Sequence, residues 1–112
     1  MQITKRHWGT IDHRDIYLFE LSGAGICARI SNYGGVIQSM IVPDRNGAPT
    51  DVVLGYDTPA EYARGGHFFG ASIGPIADRM AGGKCVLNGR EIQMELNSGP
   101  DCMHCSSDGF HT

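Results

Sequence analysis

The stretch Phe68–Phe110 reads FFGASIGPIADRMAGGKCVLNGREIQMELNSGPDCMHCSSDGF and carries both the clearest fold signal and the residues of chemical interest. At its centre Asn88-Gly89 joins Lys84–Leu87 to Arg90–Leu96. Asn-Gly is the preferred pair for a two-residue type I′ turn, because both positions need positive φ. Ile92, Met94 and Leu96 alternate with Gln93 and Glu95, which predicts a strand with one buried and one wet face. Arg79 precedes this hairpin in a glycine-bounded loop, and His104 follows it in a polar turn. A hairpin folding back on itself would bring the two toward one cleft. A guanidinium grips hydroxyls or carboxylates through a rigid fork of donors. An imidazole donates, accepts or titrates near neutral pH.

Upstream, short apolar runs alternate with turn residues. Asp15–Leu21 (DIYLFEL) reads as a strand with Tyr17, Phe19 and Leu21 on one face. Ile26–Ile30 (ICARI) pairs with it across a glycine turn, and Val36–Val42 (VIQSMIV) is apolar enough to predict burial on both faces. Pro43–Gly47 is a turn, Asp51–Leu54 (DVVL) a short strand, and Phe68–Ile73 an apolar strand broken by Gly74-Pro75. Only Asp57–Ala63 suits a helical turn. Asp57 or Thr58 would cap it, Pro59 fits its first position and Glu61 its first turn. Met1–Thr10 is polar with no apolar core, and Cys102–Thr112 is polar without periodicity. Sixteen scattered glycines between β-rich runs indicate many turns, hence an all-β domain.

Composition narrows the function. A formal net charge of -3 gives no basic footprint for nucleic acid. No apolar run reaches the roughly 20 residues of a membrane helix, and the first ten residues do not form a secretory signal. Four cysteines without such a signal read as reduced thiols, which points to the cytoplasm.

The chemical motifs each have an ordinary explanation. Cys102-x-x-Cys105 with Cys85 or His111 has zinc-ligand spacing, yet lacks the second C-x-x-C pair that makes the pattern strong. Plain thiols near a turn are the better reading, and no metal is expected. Gly23-Ala24-Gly25-Ile26-Cys27-Ala28 matches a dinucleotide fingerprint, but period-two residues follow where a helix is required. Arg79 reads better as a solvated surface cation, or as one paired with Asp78, and His104 as a solvated histidine. From these residues alone the chain is a β-rich domain with a polar cleft.

An ordered series of segments then resembles the aldose 1-epimerase (galactose mutarotase) family. These are Asn32–Ile37, Val42–Gly47, Asp51–Tyr56, Tyr62, Phe69–Gly74, Ala77–Met80, Leu96–Pro100, Met103-His104 and Gly109-Phe110. The resemblance implies an antiparallel β-sandwich of the galactose mutarotase type, with residues 1–112 as one partial, N-terminal domain of it. It implies interconversion of the α and β anomers of galactose or glucose by acid–base ring opening and closure, without a cofactor. The family's sugar-binding Asn-Arg pair falls on Asp78-Arg79, and its first active-site histidine on His104, beside the opening C1–O5 bond. Asp78 replaces asparagine and loses an amide donor. Gly74-Pro75 stands where the family has Gly-Arg. His104-Cys105-Ser106 stands where it has His-Gly-Gly, so left-handed backbone there would be strained.

The family's acid histidine and carboxylate base have no counterpart among the 112 residues. The resemblance therefore implies a chain cut off before them and inactive by itself. Two other readings stand beside it. One is a non-catalytic carbohydrate-binding module; the other is an interaction fragment that self-associates through exposed sheet edges.

Overall fold

The computed structural model describes residues 1–110, and the chain divides into two compact units, Met1–Ser72 and Ile73–Phe110. His111, one of the zinc-spacing residues considered above, lies outside the described residues.

The first unit is an antiparallel meander of five strands in sequence order: β1 (Gln2–Ile11), β2 (Arg14–Gly23), β3 (Ile26–Ser31), β4 (Ile37–Pro43) and β5 (Pro49–Asp51). β2, β3 and β4 fall where the apolar runs predict them. β1 does not, because its polar and half-exposed residues give no apolar periodicity; its register with β2 holds it instead. The β1–β2 turn is Asp12-His13, both left-handed at φ 47 and 63 without a glycine to announce them. Between His7 and Gly9 the register slips, and the intervening Trp8 donates its indole N–H to the Asp57 carbonyl at 2.8 Å.

Burial adds a side to the reading of β2. Tyr17, Phe19 and Leu21 share a face, and the buried side chains Ile16 and Leu18 lie on the other one. Tyr17 instead carries the Lys5 ammonium 3.8 Å above its ring. β4 is half-buried rather than enclosed on both faces; only Ser39 within it is fully buried. β5 ends at Asp51, so the run DVVL is not a strand, and Val52 and Leu54 are exposed. The Asp51 carboxylate accepts the Met40 and Val53 N–H groups, turning the chain away from the ladder.

The helix α1 (Pro59–Ala63) forms as predicted. The Glu61 carboxylate accepts from the Thr58 hydroxyl at 2.7 Å and the Thr58 N–H at 3.0 Å, and Pro59 opens the turn. Pro59 packs over Gly9, where a Cβ would sit 2.7 Å from the proline ring. Tyr62 is buried and its hydroxyl accepts the Tyr56 N–H at 3.0 Å; burial pushes that hydroxyl above the ordinary phenol pKa. Trp8, Tyr56 and Tyr62 meet edge to face around it.

Phe68–Ile73 is not a strand. Gly70, left-handed at φ 60, presses against the Ile37 backbone and accepts its N–H at 2.8 Å, which closes the segment into a loop. Gly23-Ala24-Gly25 is a hairpin turn followed by β3, so the helix needed to cradle a pyrophosphate is absent there.

The second unit holds two strand pairs. β7 (Lys84–Leu87) and β8 (Arg90–Gln93) form the hairpin around Asn88-Gly89, at φ 52 and 75. β8 stops at Gln93 rather than Leu96, whose side chain is exposed. Gln93 ends the strand by spending its side-chain amide on the carbonyls of Gly82, Gly83 and Met94. Outside this hairpin, β6 (Arg79–Ala81) pairs with β9 (Asp101–Met103). The all-β, antiparallel architecture is the one the sequence predicts.

Candidate active site

The β6–β9 ladder positions the residues singled out in the sequence. Its register sets Arg79 opposite Met103, Met80 opposite Cys102 and Ala81 opposite Asp101. The next pair outward is Asp78 with His104. The His104 N–H donates to the Asp78 carbonyl, and the Asp78 N–H donates to Nδ1 of the His104 ring, both at 3.1 Å. Because Nδ1 accepts, the ring proton resides on Nε2, which becomes the donor nitrogen. Asp78 also lies beside the cation that follows it, with Arg79 Nη1 4.0 Å from its carboxylate. Both of those side chains are exposed, so the ion pair adds little stability and leaves the guanidinium in water. Asp78 thus links Arg79 to His104. Asp78 and His104 have left-handed backbone, so the simple pleat does not set their side-chain directions.

The left-handed run is longer than the histidine. His104, Cys105 and Ser106 have φ of 54, 64 and 52. Histidine and aspartate tolerate this region better than most residues. Cysteine and serine do not share that tolerance, and such strain costs roughly 1–3 kcal/mol per residue. The expected strain at Cys105-Ser106 is present, and the surroundings hold it. The Cys105 thiol, 1% exposed, accepts the Ile76 N–H at 2.9 Å and donates to the Ile76 carbonyl at 3.1 Å. The hydroxyls of Ser106 and Ser107 both donate to one Glu95 oxygen, at 2.9 and 3.0 Å. They enter a single 3-10 turn, Ser106–Asp108.

Asn97 clamps the other end of β9. Its carbonyl accepts the Met103 N–H at 2.6 Å and its amide donates to the Met103 carbonyl at 2.9 Å. The roles of Asn97, Glu95 and Ile76 are not readable from sequence spacing. Only the asparagine, at the head of a Ser-Gly-Pro turn, offered a local cue. Gly74, which precedes Pro75 by a cis bond, has no room for a Cβ because the Phe110 ring covers it. Cys102 and Cys105 are buried free thiols, and among the described residues no three His, Cys, Asp or Glu side chains gather as metal ligands.

The β6–β9 pair and the residues flanking it thus bring an arginine, a carboxylate and an imidazole close to one another. The sequence profile of the aldose 1-epimerase family matches residues 17–110, and the chain belongs to that family. It is 36% identical to galactose mutarotase of Bos taurus over 92 residues, covering 82% of this chain and 27% of that protein. It is 27% identical to aldose 1-epimerase of Escherichia coli over 89 residues, covering 80% of this chain and 26% of that protein. A galactose 1-epimerase structure from Lactobacillus acidophilus superposes with a TM-score of 0.78 at 22% identity, over 98% of this chain and 32% of its own. An aldose epimerase homologue from C. elegans gives 0.76 at 27% identity, over 84% of this chain and 29% of its own. The chain spans about a quarter of the length of the curated relatives it matches.

Proposed function

We infer that residues 1–112 supply part of the hexose site of an aldose 1-epimerase-like sandwich, and that Asp78, Arg79 and His104 hold the sugar. In this reading the Arg79 fork binds vicinal hydroxyls. The Asp78 carboxylate accepts from one of them, and Nε2–H of His104 donates to an oxygen at the anomeric end. The observation that carries it is the paired hydrogen bonding of Asp78 and His104, which fixes the imidazole as a donor next to the guanidinium. A donor directed at the ring oxygen supports opening of the C1–O5 bond, since charge develops on that oxygen as the bond breaks. Ring opening to the aldehyde, rotation about C1–C2 and reclosure then invert the anomeric centre. These steps also need an acid to protonate the ring oxygen and a base for the anomeric hydroxyl. None of the 112 residues matches that family pair, so the polypeptide tested by itself binds hexose and does not speed mutarotation.

Two measurements test this. Titration of galactose into the ¹⁵N-labelled chain should move the amides of residues 78, 79 and 104; an unresponsive spectrum up to high millimolar sugar refutes sugar binding. Polarimetry on freshly dissolved α-glucose should follow the buffer rate; clear acceleration shows that these residues carry the chemistry after all. Expected partners are therefore free monosaccharides such as galactose or glucose, with the cytoplasm as the proposed compartment. Among the described residues no helix is long and apolar enough to cross a membrane.

A further inference from the structure

The Ile76–Cys105 contact has no role in the sugar reading, and it sits next to the pair that does. Going outward from β6–β9, Arg79 faces Met103, Asp78 holds His104, and Ile76 is held by Cys105. Beyond Met103 the backbone turns left-handed and can no longer present a regular ladder rung. The thiol replaces that rung with its side chain, accepting the Ile76 N–H and donating to the Ile76 carbonyl. We propose that Cys105 is a positioning residue: its thiol locks the strained His104–Ser106 turn onto Ile76 and thereby keeps Nδ1 of His104 on the Asp78 amide and the proton on Nε2.

Three observations support this independently of any titration. Cys105 is 1% exposed, so its thiol is confined among protein atoms rather than solvated. Its two bonds go to both main-chain groups of one residue, which fixes direction as well as distance. Its own φ of 64 is one that glycine adopts freely and a side-chain-bearing residue resists. Holding cysteine there requires a compensating interaction, and the Ile76 bonds are that interaction. Ile76 is two residues from Asp78, so release of the thiol frees both sides of the Asp78–His104 pair. The inference rests on the hexose-site reading for its purpose, but its test does not.

The test reads the ring nitrogens of His104 in the chain labelled with ¹⁵N-histidine, without sugar. The native chain should show an unprotonated Nδ1 and a protonated Nε2 at neutral pH. Cys105→Ala should shift both nitrogens toward the average of the two neutral tautomers and move the Asp78 amide. Cys105→Ser, which keeps a donor and an acceptor at the same place, should restore the native pattern. Cys105→Gly removes the thiol and the backbone strain together; it should fold and keep the native pattern, which covers the case in which the alanine variant does not fold. Native ring shifts in a folded Cys105→Ala, or a lost pattern in Cys105→Gly, overturn the proposal. Galactose affinity in a folded Cys105→Ala should fall roughly 2–10-fold, the worth of one misdirected hydrogen bond. If the native chain binds no hexose, the sugar reading fails while the ring-nitrogen result still decides the role of Cys105.

Discussion

Asp78 and His104 hold each other twice, main chain to main chain and main chain to ring, each at 3.1 Å. Neither bond uses the Asp78 carboxylate, which stays exposed. The backbone of one residue thus orients the imidazole of the other while its own side chain faces water. A substitution at 78 can therefore change ligand contacts without disturbing the histidine, provided it accepts left-handed backbone.

Asn at position 78 meets that condition, because asparagine adopts φ near +60° readily. Asp78→Asn keeps an oxygen acceptor and adds an amide donor for a second hydroxyl. Galactose binding should tighten by roughly 2–10-fold, in line with one added hydrogen bond. Stability should change by less than about 0.5 kcal/mol. Calorimetric titration alongside thermal melts checks both. Weaker binding would show that the carboxylate charge, not its acceptor oxygens, is what the sugar needs.

Arg79 tests the binding role from the other side. Its side chain is 57% exposed and, among the described residues, its nearest carboxylate is 4.0 Å away, so the guanidinium adds little to stability. Arg79→Ala should weaken galactose binding roughly 10–100-fold, the value of charge-assisted hydrogen bonds, at almost unchanged melting temperature. Arg79→Lys should recover only part of the loss, because an ammonium cannot form the planar fork that spans vicinal hydroxyls. Equal affinity in the lysine variant would reduce the arginine to a simple point charge.

Gly70 makes a separate claim on the first unit. It is left-handed, and a Cβ there would run into the Ile37 carbonyl, which is backbone and cannot swing aside. Gly70→Ala should destabilise the chain by about 3 kcal/mol or more in urea titrations, because steric conflict adds to an unfavourable φ. Gly25→Ala is the matched control, with φ 79 and nothing within 4 Å of the added carbon. It should cost only about 1–2 kcal/mol. Equal losses at the two sites would mean that the loop after Phe68 repacks at little cost.

These relationships mark what the sequence could and could not disclose. Asn88-Gly89, the Thr58–Glu61 cap and the runs at β2, β3 and β4 were legible because local chemistry alone determines them. β1 was hidden because an exposed strand needs no apolar alternation; its partner β2 defines it. Val52–Leu54 and Phe68–Ile73 look like strands by composition. The Asp51 carboxylate and the Gly70–Ile37 contact, both non-local, turn them into loops. At the candidate site, the resemblance pointed to Asp78, Arg79 and His104 but could not show that the first and last are bonded. It flagged Cys105-Ser106 as strained positions without revealing Ile76 and Glu95 as their anchors, because those contacts exist only once β6 and β9 pair.

Asp51 gives the first unit a defined response to acid. The Ser39 hydroxyl, then the Met40 and Val53 N–H groups, hold its carboxyl below the ordinary aspartate pKa. A carboxyl with a folded pKa below its unfolded one binds fewer protons in the native state. Its contribution is therefore complete above the unfolded value of about 4 and is lost as pH falls through the lower folded value. Glu61 behaves in the same sense, held down by the Thr58 hydroxyl and N–H. The contribution of these two carboxylates, read in urea titrations as the difference from variants lacking the charge, should be level from pH 7 to about 5 and should decline below about 4. Asp51→Asn keeps one oxygen to accept the two N–H groups but removes the charge. Its stability curve should start lower at pH 7 and fall less steeply in acid, so that the two curves draw together as the pH falls. Parallel curves would show that Asp51 holds the end of β5 through geometry alone, with no contribution from its charge.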